Sequence, residues 1–115
     1  MNEVLNALQA SGNDVPGALE RFMGNEAMYL RFLGKLRQDE SFGQLMAALE
    51  AGDAQAGFAA AHTLKGLYGN LGLTELVALN TPVVESLRAG ALPAEHDVAA
   101  LKAAVESTLE LLAAL

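Results

Sequence analysis

Ala61-His62-Thr63-Leu64-Lys65-Gly66-Leu67-Tyr68-Gly69-Asn70-Leu71-Gly72 is the stretch that decides how this chain folds. Placed on a helix at about 100° per residue, it separates into two faces. Leu64, Leu67 and Leu71 lie on one side with Gly57 and Ala60 from the preceding turns. Gln55, Phe58, Ala59, His62, Lys65, Gly66 and Gly69 share the other. The leucine side is an ordinary buried stripe. The histidine side is not an ordinary surface, because glycine inside a helix costs about 1 kcal/mol relative to alanine. Gly66 and Gly69 stand four and seven residues after His62 and leave bare backbone where something must come close to the imidazole. Lys65, three residues on, is within reach of an anion attached to that ring. A lone helical histidine is more often a plain surface residue, and glycines near a helix end often mark only fraying or termination. It is the joint pattern that predicts a phosphorylatable histidine met by another protein.

The rest of the chain bounds this expectation. Its 115 residues, 52% of them hydrophobic, predict one domain over residues 1–115, with a single core. Abundant Ala and Leu, three prolines and few β-branched residues predict helices. The absence of cysteine excludes disulfides and zinc–thiolate sites and fits a reducing cytoplasm. Two histidines far apart in sequence argue against a structural metal. A net charge of −7 without a basic stripe disfavours nucleic acid and would repel an anionic membrane. Met1-Asn2-Glu3-Val4 lacks the basic start of a signal peptide, and no apolar run approaches the roughly 20 residues that span a bilayer.

In chain order, Asn2 to Ala10 reads as a short helix with Val4, Leu5 and Leu8 inward. Asp14 caps a second, Val15 to Met23, which has Pro16 in its first turn and presents Val15, Leu19, Phe22 and Met23. Asn25 caps a third, Glu26 to Arg37, with Met28, Tyr29, Phe32, Leu33 and Leu36 as its apolar stripe. A polar stretch from Gln38 to Ser41 marks a break or kink before Phe42 to Leu49. Asp53 caps the histidine helix, which runs from Ala54 to Tyr68 or Asn70. Leu73 to Arg88 follows, with Pro82 inside it as a kink or break that Asn80 or Thr81 could cap. Pro93 opens the last helix, Ala94 to Ala114, whose inner stripe is Val98, Leu101, Val105, Thr108, Leu109 and Leu112. His96, in its polar first turn, reads as a surface residue without a role. These pieces predict an all-α fold: an antiparallel four-helix bundle with one or two short additional helices at the N-terminus. The histidine helix is its second member, His62 turned to solvent.

The segment His62-x-Leu64-Lys65-Gly66, two further residues and then Gly69-x-x-Gly72 resembles the histidine-containing phosphotransfer (HPt) domain of bacterial phosphorelays. Ala18 to Glu26 and Tyr29 to Leu33 resemble that family's first helices, and Leu76 to Glu85 with Arg88-Ala89-Gly90 its next helix and turn, so the likeness covers about residues 14–90. The resemblance implies that His62 accepts a phosphoryl group from, and donates it to, aspartates of response-regulator receiver domains, alone or in hybrid histidine kinases. It implies that magnesium belongs to the receiver and that this chain needs no cofactor or metal of its own. The chain is then a monomeric cytoplasmic phosphocarrier, not an enzyme. No ATP-site motif or phosphate-cradling glycine loop is present.

Neutral imidazole is a good nucleophile near pH 7, and Lys65 supplies a flexible point charge for the transferring phosphate. Gln55, Phe58, Ala59, Gly66 and Gly69 are the expected docking residues, although Phe58 could equally be plain packing in a neighbouring groove. Several family members place a polar side chain on the next helix beside the phosphohistidine. Here that position is Val84, so Asn80 one turn earlier or Arg88 one turn later is the candidate support. The competing expectation is a helical adaptor that binds a receiver or kinase through the Phe58–Gly69 face without phosphotransfer. It accounts for the glycines and Phe58 but gives no reason for His62 and Lys65. A general-base enzyme fits poorly, since no second histidine or carboxylate pair converges on that face.

Overall fold

The computed structural model describes residues 2–115, and Met1 lies outside it. The described residues form seven helices: α1 (Glu3–Ala10), α2 (Val15–Arg21), α3 (Glu26–Leu36), α4 (Ser41–Glu50), α5 (Ala54–Asn70), α6 (Thr74–Arg88) and α7 (Glu95–Leu112). Four helix starts are fixed by side chains that accept a backbone N–H. Asn2 takes that of Val4, Asp14 that of Gly17, Asn25 that of Met28 and Asp53 that of Ala56. Each such cap stabilises by about 1 kcal/mol.

The fold is the expected helical bundle. α5 is its centre, packed on α4 to one side and α6 to the other, and α6 packs in turn on α7. α3 lies against α7 and α2. Leu45, Leu64, Tyr68, Leu76 and Leu101 are fully buried where these helices meet. The molecule is elongated, 42 × 23 × 22 Å. No helix of the described residues is long and apolar enough to cross a membrane.

Several boundaries differ from expectation for identifiable reasons. The stretch after Leu36 is a true break, because the Asp39 carboxylate accepts the Ser41 N–H at 2.8 Å and starts α4 afresh. Only Tyr29, Leu33 and Leu36 of α3 are buried. Met28 and Phe32 are 39% and 42% exposed, since α3 is covered only along the narrow stripe of Tyr29, Leu33 and Leu36. α2 stops at Arg21, and Met23 sits at φ +57° with its side chain in solvent, not in the core. Pro82 is exposed and α6 runs on through it without a restart. Thr81 caps nothing and donates its hydroxyl back to the Val77 carbonyl at 2.8 Å. Pro93 precedes α7 by two residues rather than opening it, and α7 ends at Leu112.

The C-terminal end of α5 is held by the N-terminal part of the chain. A helix leaves its last four carbonyls without intrahelical donors. Here the carbonyls of four consecutive residues, Gly69 to Gly72, each accept from residues 14–29. Arg21 Nη2 reaches Gly69 at 2.8 Å and Arg21 Nε reaches Asn70 at 3.2 Å. Tyr29 Oη donates to Leu71 at 2.7 Å, and the Asp14 N–H donates to Gly72 at 2.9 Å. Gly72 is required at this junction. It sits at φ +69°, and a Cβ there would collide with the Asp14 backbone oxygen.

Candidate functional site

His62 lies near the middle of α5, exposed, between buried Ala61 and, two residues on, buried Leu64. The alternation follows from the helix period: Ala60, Ala61, Leu64 and Tyr68 take the inner face, and Gln55, Ala59, His62, Lys65, Gly66 and Gly69 remain outside. The outer face is the one expected from the sequence, with one qualification. Phe58 is half-buried and packs against the edge of the core.

Phe58 is also what touches the histidine. Its ring stacks on the imidazole with centroids 5.6 Å apart and planes inclined at 22°. The Arg88 guanidinium carbon lies 5.1 Å from the Phe58 ring centroid. Arg88, Phe58 and His62 therefore contact one another in sequence, running from α6 to the exposed imidazole. Arg88 Nε also lies 3.5 Å from Glu85 Oε1, so this arginine is engaged with Phe58 and Glu85 rather than poised over His62. Phe58 thus packs at the edge of the core and, with the same half-buried ring, stacks on the imidazole.

The remaining outward groups leave the approach open. Lys65 is exposed and forms no ion pair among the described residues. A Cβ on Gly66 or Gly69 would meet nothing within 4 Å, so neither glycine is required by the packing of this chain. Gly57, on the inner face, is different: a Cβ there would lie 3.1 Å from Leu87 Cδ2, which identifies it as a close-approach residue between α5 and α6. The Thr63 hydroxyl is tied back to the Ala59 carbonyl at 3.0 Å.

Asn80 does not reach the exposed face, contrary to the expectation that it could support a group on His62. It is buried, and its Nδ2 donates to the Ala61 carbonyl at 3.0 Å. Val84 is buried as well and belongs to the core. His96 is on the surface, 3.2 Å from Asp97. Among the described residues no three His, Asp or Glu side chains converge into a metal site.

Sequence reasoning found the face but missed its supports. The Phe58–His62 pair was legible as a one-turn spacing. The contacts of Arg88 with Phe58, Asn80 with Ala61 and Arg21 with the α5 terminus join distant segments, and no periodicity announces them.

The family model described as the Hpt domain matches residues 28–115. No curated protein and no solved structure gives a match. The match takes in nearly all of α3 and the whole of α4 to α7. It begins later than the likeness legible in the sequence and continues through α7, which that likeness had left out.

Proposed function

The chain belongs to the Hpt-domain family, and from that membership we propose that it carries a phosphoryl group on His62 between aspartates of response-regulator receiver domains. The observation that carries the assignment to His62 is the open face around it: an exposed imidazole on a fixed aromatic platform, with Gly66 and Gly69 bare beside it. An imidazole nitrogen attacks the phosphorus of the partner's aspartyl phosphate. The nitrogen–phosphorus bond forms, the acyl oxygen–phosphorus bond breaks, and the aspartate leaves as a carboxylate. The reverse step loads the next receiver. Lys65, exposed and unpaired, offers its ammonium to the phosphoryl oxygens as charge shifts between the two proteins. Magnesium and the remaining charged groups come from the receiver. Gln55, Ala59, Gly66 and Gly69 form the docking floor. Residues 1–115 work as one monomeric domain in the cytoplasm, as a phosphocarrier without an ATP site of its own.

The test exposes wild type and His62→Gln to phosphoramidate and reads intact mass before and after acid treatment. One acid-labile phosphoryl group on wild type, absent from the variant, is expected. Labelling that persists in His62→Gln would move the acceptor elsewhere. No labelling of wild type, under conditions that phosphorylate another HPt domain, would leave this face as a docking surface of an adaptor.

A further inference from the structure

Apart from the two buried tyrosines, Asn80 is the only polar side chain buried among the described residues, at 1% exposure. Only half of its amide is satisfied. Nδ2 donates to the Ala61 carbonyl, whereas Oδ1 is buried with no partner among the described residues. A half-satisfied buried amide contributes little to stability, because the orphaned oxygen offsets what the donor gains. Its distinguishing contribution is geometric. The carbonyl it holds belongs to the peptide that joins Ala61 to His62. In the helix ladder that same oxygen faces the N–H of Lys65, four residues on. One side chain of α6 thus grips the turn of α5 that begins at His62 and ends at Lys65. Phe58 fixes the imidazole from the ring side, and Asn80 fixes the backbone from which it projects.

We propose that Asn80 is a positioning residue for the transfer step: it holds the Ala61–His62 peptide, and with it the His62–Lys65 turn, at the angle from which imidazole and ammonium act on the same phosphoryl group. The inference rests on phosphotransfer at His62. It concerns how that histidine is held, not whether it is the acceptor. Asn80 touches neither phosphate nor partner, and its effect passes through the backbone.

The experiment compares wild type with Asn80→Leu, Asn80→Ala and Leu5→Ala. The last truncates a fully buried side chain of α1 and serves as a control for lost stability. Three quantities are read: the thermal midpoint, hydrogen exchange at the Lys65 amide, and the rate of phosphoryl uptake from phosphoramidate at saturating donor. Asn80→Leu removes the orphaned oxygen together with the donor, so its midpoint should hold or rise while Lys65 exchange speeds by about tenfold. Uptake should slow by about fivefold or more at saturation, with the half-saturating donor concentration unchanged. Asn80→Ala should show the same two changes with a lower midpoint, and Leu5→Ala a lower midpoint with uptake at the wild-type rate. Uptake that follows the midpoint across all variants would overturn the proposal, because Asn80 would then be structural only. Wild-type Lys65 exchange in both Asn80 variants would overturn it too. The exchange measurement needs no phosphate chemistry, so it distinguishes failure of this inference from failure of phosphotransfer, in which wild type itself takes up nothing.

Discussion

Gly66→Ala is expected to make this protein more stable and a poorer phosphotransfer partner. Gly66 lies well inside the 17-residue α5, its φ is helical, and the Cβ it lacks would meet nothing within 4 Å. No steric cost therefore opposes the gain in helix propensity, which is about 0.5–1 kcal/mol. For a domain of this length that raises the midpoint by roughly 2–5 °C, measurable by circular dichroism. A small donor such as phosphoramidate needs no flat approach surface, so uptake on His62 should be unchanged. Transfer from a phosphorylated receiver should fall, because the new methyl stands on the docking floor beside the imidazole. Overpacking a close contact costs about 1–3 kcal/mol, or roughly 5- to 150-fold in transfer efficiency. Gly66→Leu should worsen receiver transfer further while sparing small-donor uptake. A leucine variant that receives phosphate from the receiver as fast as wild type would refute the steric account of the glycines. A loss of stability in Gly66→Ala would refute the placement of that face in open solvent.

Two further outcomes test the frame that carries the site. Gly72→Ala combines a left-handed backbone with a collision at the Asp14 backbone oxygen, and should cost about 2–5 kcal/mol in guanidinium unfolding; a loss under about 1 kcal/mol would show that α2 can move aside freely. Burial pushes the Tyr29 hydroxyl up to about 12 from an ordinary value of 10.0, and Tyr68 is raised in the same direction. Unfolded tyrosine loses its proton first, so the native state binds more protons above about pH 10 and stability must fall as pH rises. For Tyr29 the loss amounts to about 2 kcal/mol by pH 12. Tyr29→Phe should flatten part of that alkaline slope in urea unfolding, and an unchanged slope would deny Tyr29 this role.

The bundle was legible because its signals are local. Caps at Asp14, Asn25 and Asp53 were readable as residue types before apolar stripes, and all three accept the N–H expected of them, whereas Asn2, read as the first helical residue, is itself a cap. The two faces of α5 followed from the helix period alone, and the exposure of His62, Lys65, Gly66 and Gly69 agrees with it. What failed depended on which neighbours cover a helix. Met28 and Phe32 have the right spacing for a core stripe, but α3 lacks a second broad partner to bury them. Pro82 looked like a break because the sequence does not show that its side of α6 faces solvent, where a missing backbone bond is tolerated. Asn80 read as a ligand-facing amide because a helix wheel cannot tell the flank of an exposed face from the seam beneath it.

The order in which the chain can assemble follows from where its first helices attach. Helices α4 to α7 pack on their sequence neighbours through short turns, which is the low-contact-order arrangement that folds quickly. The N-terminal helices pack more thinly on their own neighbours. Their grips on the end of α5 span 42 residues for Tyr29 and 48 and 49 for Arg21. The four carbonyls they bind exist as a set only once α5 has ended and turned into α6. The part of the chain made first therefore cannot close on α5 until α5 has ended. Until it does, the histidine helix is complete along its length but open at its C-terminal end, and α2 with its cap Asp14, together with Tyr29 of α3, is the clasp that closes it.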